Sequence, residues 1–261
     1  MSVHVVIPAR MASTRLPNKP LADIAGVPMI VRVARQVSLA AVDSVVVAVD
    51  DERVQQVVEA AGFNAMLTAL DHPSGSDRVM EVAERLDLSA TDIVINVQGD
   101  EPLLPPEIIE QIADAMTAAP DIDIATLSEP IHTQADFADP NVVKVVVDAN
   151  GRALYFSRGQ IPFPRDGMQH ARVRGVDVAD QVISSLGAQR HIGVYGFRVA
   201  ALRRFVALTE SRLEDIERLE QLRWLEAGGR ITVLESALPI PGGVDTPEDL
   251  ARVEQYVLAN P

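Results

Sequence analysis

VHVVIPARMASTRLPNKPL (residues 3–21) couples a short apolar, β-branched run to a loop that carries Arg10, Arg15 and Lys19 and no glycine. The run VHVVI reads as a buried strand. PMIVRVARQVSLA (28–40) follows with helical spacing and a proline near its start. DSVVVAVD (43–50) reads as a second strand, DERVQQVVEAAG (51–62) as a helix ended by glycine, and FNAMLT (63–68) as a third strand. A polar loop, DHPSGSDR (71–78), precedes the helix VMEVAERL (79–86). DIVINVQGD (92–100) is the strongest strand pattern, and PPEIIEQIADAMTAA (105–119) is a helix opened by proline. Strand–helix alternation repeated four times predicts parallel βαβ units with helices on both faces of the sheet. Near-continuous apolar strands fit a sheet covered on both sides.

After about residue 120 the rhythm changes. IDIATLSEPI (122–131), VVKVVVD (142–148) and RALYFSR (152–158) read as strands, the last two joined as a hairpin at DANG. Residues 159–187 are polar and read as an irregular insertion. RHIGVYGF (190–197) is strand-like. VAALRRFVAL (199–208), LEDIERLEQLRWLEA (213–227) and PEDLARVEQYVLA (247–259) read as helices, with the strand RITVLES (230–236) between the last two. The chain thus reads as one α/β domain, 1–261, with an antiparallel elaboration in its second half.

The net charge is −14 over 261 residues, so the surface repels polyanions, and no arginine/aromatic stripe appears; nucleic-acid binding is not expected. The first 35 residues run the other way, with five basic residues against one acid, Asp23. A local positive field in an acidic protein points to a small anionic ligand. Lysine occurs twice, at Lys19 and Lys144, and cysteine not at all. The lack of cysteine excludes disulfides and thiolate zinc sites and fits a reducing compartment. No stretch approaches transmembrane length, so a cytoplasmic protein without membrane insertion is the expectation.

In an open parallel sheet, ligands sit at the carboxyl ends of the strands. Three unusual loops fall there: 8–21, 71–78 and 98–102. The first has neither GxxxxGK[ST] nor GxGxxG spacing. Its cations would therefore hold a polyphosphate by charge-assisted hydrogen bonds, Lys19 as a compact point charge and Arg10 and Arg15 as forked donors. The alternative is a solvated basic loop. In HPSGSDR (72–78), Ser76 is read as the helix N-cap, leaving amides for a base edge or an anion. In NVQGDEP (96–102), Gln98, Asp100 and Glu101 lie just past a buried strand. A carboxylate there calls for a cation, and Mg2+ with a phosphate substrate is the natural one; the alternative is that Asp100 caps the next turn. In GVDTPEDL (243–250), Thr246 and Asp249 form a capping box, which leaves Asp245 outside the helix without a local role. In RHIGVYGF, His191, Gly193 and Tyr195 share one strand face, which suggests a polar pocket.

These segments, in order from about residue 3 to 254, resemble the 3-deoxy-D-manno-octulosonate (Kdo) cytidylyltransferases. PARMASTRLPNKPL is the mark of nucleotidyltransferases acting on sugar acids; LYFSR, RHIGVYG and LEQLR point to Kdo within that group. The resemblance implies a three-layer, Rossmann-like nucleotide-diphospho-sugar transferase fold, CTP and Kdo as substrates, Mg2+ as cofactor, and a cytoplasmic homodimer built through the second-half elaboration. It places residues 1–120 mainly at the nucleotide and 121–261 at the sugar and the dimer contact. By position, it puts Arg10 and Lys19 on the triphosphate with Ser13 and Arg15 assisting. Ser74, Gly75 and Arg78 fall at cytosine and ribose, and Asp100 and Asp245 on the metal. Gln98, Arg158, His191, Tyr195, Glu220 and Gln221 fall on the sugar acid. Other readings are a cytidylyltransferase for 8-amino-Kdo or a neuraminate, or a non-catalytic nucleotide-binding module. Three positions depart from the family pattern: Asn18, where glycine is common, and Pro73 and Ser76 in the third loop.

Overall fold

The computed structural model describes residues 1–12, 15–165 and 180–260. The chain forms two compact units. One comprises Met1–Asp121, Val194–Val206 and Ala237–Pro261; the other comprises Ile122–Gly193 and Ala207–Ser236.

In chain order the strands are β1 (Val3–Ala9), the short pair β2 (Asp23–Ile24) and β3 (Val27–Pro28), β4 (Ser44–Val49), β5 (Ala65–Leu67) and β6 (Ile93–Asn96). There follow β7 (Ile124–Pro130), β8 (Lys144–Val147), β9 (Ala153–Ser157), β10 (Gln189–Arg198) and β11 (Thr232–Glu235). The first four long helices are α1 (Met29–Val37), α2 (Glu52–Ala60), α3 (Gly75–Arg85) and α4 (Pro106–Ala118).

In the first unit the strand order is β10-β6-β1-β4-β5. β1 pairs in parallel with β4 (Val5 opposite Val45) and with β6 (Val5 opposite Ile95), and β4 in parallel with β5. The end of β10 is the antiparallel exception, with Tyr195 opposite Asn96. Val5, Val6, Ile7, Val47, Ala48, Val49, Ile93, Val94 and Ile95 are all 0% exposed, as expected for strands covered on both faces. One face carries α4: a Cβ on Gly196 would overlap Ile112 and Met116 of that helix. On the opposite face Tyr195 stacks on Phe197, which packs against Phe205 of the helix Val199–Val206. β6 stops at Asn96, four residues short of the run read from the sequence, because the chain turns at Gly99.

In the second unit β11 pairs in parallel with β7, β8 pairs with β9 as the expected hairpin, and β8 also pairs with the start of β10. Two elements differ from the sequence reading. The pattern 213–227 is not one helix but two, Arg212–Glu217 and Leu222–Glu226. Arg218 takes a left-handed conformation at φ 53°, which stops the first turn of helix, and Glu214 folds back onto Arg223 at 2.5 Å. Within the stretch expected to be irregular, Asp180–Ser185 is helical.

Candidate active site

β1, β4 and β6 run in parallel, so their carboxyl ends share one edge. At that edge lies a cavity of about 390 Å3 within the first unit, lined among others by Pro8, Arg10, Arg15, Lys19, Gly75, Gln98, Gly99, Asp100 and Asp245. The basic loop is held by its own apolar residues. Leu16 packs in a cluster with Ile24, Met29, Val244 and Val253, and Pro20 is buried. Asn18 adopts φ 55° and ψ 33°, the left-handed conformation that asparagine tolerates, so the turn keeps its shape without glycine. Lys19 then opens a short 3-10 turn, Lys19–Leu21.

Asp100 and Asp245, 145 positions apart in sequence, meet because two glycines allow it. A Cβ at Gly99 would stand 2.9 Å from the Pro8 carbonyl oxygen, and one at Gly243 would stand 2.9 Å from the Asp100 carbonyl oxygen. The Val244 N–H donates to that Asp100 oxygen at 2.9 Å, which clips the 243–245 strand of chain beside the loop after β6. The Thr246–Asp249 capping box then starts the last helix, and Asp245 is left pointing at Lys19.

Lys19 is the centre of the cluster. Its Nζ donates to Asp100 Oδ2 at 2.5 Å and to Asp245 Oδ1 at 2.8 Å, and its side chain is 13% exposed. Burial pulls the ammonium down, but Asp100 and then Asp245 outweigh it and hold the group above the usual lysine range. Arg15 Nη2 reaches Asp245 Oδ2 at 3.2 Å on the exposed rim. Arg10 lines the cavity and has no hydrogen bond or ion pair among the described residues, so its donors remain available to a ligand. Ser13 lies outside the described residues.

The third loop differs from expectation at its cap. Ser74, not Ser76, is the N-cap of α3; it is extended, at φ −138°, and its Oγ donates to Asp77 Oδ2 at 2.6 Å. Ser76 is inside the helix and buried. The serine-to-aspartate spacing of 74–77 fits a capping box better than any pairing from Ser76. Gly75 lines the cavity, so the N-terminal amides of α3 face the same space as Arg10 and Lys19. Arg78 is 0% exposed and is not among the lining residues; it meets Thr68 Oγ1 and Asp50 instead.

Of the six residues assigned to the sugar acid, Gln98 lines the cavity and Tyr195 lies on β10 in the first unit. Arg158, His191, Glu220 and Gln221 belong to the second. Arg158 works there as a clamp: its guanidinium donates to the carbonyls of Glu217 (2.7 Å), Pro140 (2.9 Å) and Arg218 (3.3 Å). This fixes the turn that leads to Glu220 and Gln221. Gln221 is buried and its Nε2 has no hydrogen-bond partner among the described residues, a donor awaiting an acceptor. His191 Nε2 lies 3.1 Å from Thr126 Oγ1, with Phe156 edge-on to the ring. Desolvation pushes its pKa down to about 3, so the imidazole is neutral at neutral pH. The sequence reading missed Asp50, whose Oδ1 accepts the Met11 N–H at 2.9 Å. Its place immediately after β4, at the same sheet edge, was the available signal.

Asp100 and Asp245 have the chemistry of a Mg2+ site. Among the described residues no three His, Asp or Glu gather into an all-protein metal cage. Two carboxylates already converging on one cation, at the mouth of a basic cavity, match the way Mg2+ is held with substrate phosphates and water.

Comparison with known proteins finds close relatives along the whole chain. A chain from Cellvibrio japonicus (strain Ueda107), named 3-deoxy-manno-octulosonate cytidylyltransferase, is 52% identical over 254 residues, 97% of each chain. One of the same name from Verminephrobacter eiseniae (strain EF01-2) is 49% identical over 97% of this chain and 94% of its own. The solved structure of a CMP:2-keto-3-deoxy-manno-octonic acid synthetase complexed with CTP superposes with a TM-score of 0.88 at 40% identity, covering all of both chains. The cytidylyltransferase family model matches residues 4–231, and the chain belongs to that family.

Proposed function

We propose that the protein transfers CMP from CTP to the anomeric hydroxyl of Kdo, giving CMP-Kdo and pyrophosphate. The observation that carries this reading is the convergence of Asp100 and Asp245 on Lys19 at a cavity that also presents Arg10, Arg15 and the start of α3. An idle nucleotide-binding module has no use for two carboxylates placed against the cations that would hold a polyphosphate.

The residues divide the work. Arg10, Lys19 and Arg15 bind phosphate oxygens and take up charge as pyrophosphate leaves. Lys19 is placed to exchange a carboxylate for a phosphate oxygen while staying charged. Ser74 and Gly75 present the start of α3 to the nucleoside. In the first unit, Gln98 and Tyr195 would orient the sugar acid; in the second, His191 is neutral, a hydrogen-bonding group and not a cation. Arg158 holds the turn carrying Glu220 and Gln221. Asp100 and Asp245 would hold Mg2+. When bound, the ion supplies charge neutralisation at the α-phosphate and lowers the pKa of the attacking hydroxyl.

The product activates Kdo for lipopolysaccharide synthesis. A cytoplasmic location is supported by the absence of cysteine, and no helix among the described residues is long and apolar enough to cross a membrane. A homodimer through the second unit is supported by exposed Val147, Leu154 and Ile216 there. The test is pyrophosphate release with CTP against a panel of sugar acids. Turnover with Kdo well above that with 8-amino-Kdo and neuraminate is expected. Turnover with neuraminate but not Kdo would overturn the substrate, and none with any sugar would overturn the activity.

A further inference from the structure

Neither of the residues that Asp50 holds, Met11 and Arg78, is among those lining the cavity, yet Asp50 joins two segments that line it. It follows β4 directly and is nearly buried. One carboxylate oxygen, Oδ1, accepts the backbone N–H of Met11, the residue after Arg10, at 2.9 Å. The other, Oδ2, lies 3.6 Å from Nη2 of the fully buried Arg78, one turn into α3. Arg78 is itself fixed: it donates to Thr68 Oγ1, and the Thr68 hydroxyl donates on to the Val49 carbonyl at 2.9 Å. Nε and Nη2 of Arg78 have no hydrogen-bond partner among the described residues, and its charge is balanced first by Asp50 and then by Glu81.

Each half of this arrangement explains the other. A buried guanidinium needs a counter-charge, and a carboxylate so held offers a rigid acceptor to the start of the loop at Met11. We propose that Asp50 is a positioning residue for the reaction: held by Arg78, it fixes the backbone at Met11 and thereby aims Arg10 into the triphosphate cavity. Arg10 also repels the Arg78 charge, and Asp50 offsets that repulsion at Arg78. The proposal rests on the reading of Arg10 as a triphosphate ligand. Reacting groups are sensitive to placement, since an error of about 1 Å can cost about 100-fold in rate.

The experiment is a double-mutant cycle on kcat/KM for CTP, with melting temperatures without ligand as control. Asp50→Ala is expected to lose about 10- to 100-fold, but less than about threefold when Arg10 is already alanine. Asp50→Asn, which keeps an acceptor for Met11 but removes the counter-charge of Arg78, is expected to recover part of the loss in kcat/KM while melting below wild type. Should Asp50→Ala fail to fold, Asp50→Glu keeps the charge beside Arg78 while displacing the acceptor, and must show the same Arg10-dependent loss. Equal losses with and without Arg10, from an enzyme that Arg10→Ala alone impairs, would overturn this inference and leave the role of Arg10 intact. An Arg10→Ala enzyme at the wild-type rate would overturn the role of Arg10 and the inference with it.

Discussion

Lys19→Met is the perturbation that separates chemistry from folding most cleanly. Methionine fills the space of the stem and removes the ammonium from between Asp100 and Asp245. Charge-assisted hydrogen bonds are each worth about 1.5–3 kcal/mol when well buried. The two aspartate side chains are 30% and 50% exposed, so solvent screening brings each bond nearer about 1 kcal/mol. The expected destabilisation is thus about 1–2 kcal/mol, or about 2–8 °C in melting temperature for a chain of this size. Lys19 is held above its ordinary pKa of 10.5. A raised lysine contributes stability that is complete below its unfolded pKa and lost only as pH climbs through the folded one. The melting difference should therefore stay constant from about pH 6 to 9. Catalysis should suffer far more. Removing one preorganised donor from developing charge costs about 100- to 1000-fold in kcat. Pyrophosphate release at saturating CTP and Kdo, with thermal melts of the same samples, measures both. A stable Lys19→Met enzyme within about threefold of wild type would refute the placement of Lys19 on the reacting phosphates.

Asp100→Asn and Asp245→Asn should each lower turnover by about 100-fold or more while the ligand-free fold survives, and the double variant should be little worse than either, as for groups acting through one ion; simply multiplying losses in the turnover assay would count against a shared metal. Gly99→Ala should destabilise by about 1–3 kcal/mol in denaturant unfolding and depress turnover, because the added Cβ meets the Pro8 carbonyl oxygen at 2.9 Å. For His191, the unfolded chain takes up a proton below pH 6.5 that the folded chain refuses until about 3. Stability is therefore lost as pH falls through that window. At about pH 5.5 wild type should have lost about 1.4 kcal/mol more, relative to about pH 7.5, than His191→Gln, as read from melts at the two values.

Much of the fold was legible because the strands 3–9, 44–49 and 93–96 are apolar on both faces and each is punctuated by a helix with a recognisable start. The basic loop and the two lone aspartates were legible by charge in places where a buried sheet edge has no use for it. What escaped the sequence depended on long-range geometry. Nothing local says that Arg218 turns left-handed and splits a good amphipathic pattern, or that Glu214 reaches across to Arg223. By sequence Ser76 reads as the cap, but the Ser74–Asp77 spacing favours Ser74, and Ser76 packs into the interior. The family resemblance puts Arg78 at the nucleotide; the helix carries it inward to Asp50 and Thr68. The family resemblance puts Arg158 on the sugar acid, and here its guanidinium donates to three backbone carbonyls.

The most direct test of the account is to identify the product by phosphorus NMR of purified protein with CTP, Kdo and Mg2+. The account predicts a single phosphodiester resonance for CMP joined to the anomeric oxygen, appearing in step with an equal amount of free pyrophosphate. It also predicts loss of both signals together in the Lys19→Met and Asp100→Asn proteins. Free CMP without a sugar ester, release of inorganic phosphate in place of pyrophosphate, or no conversion of Kdo by the wild-type protein would contradict it.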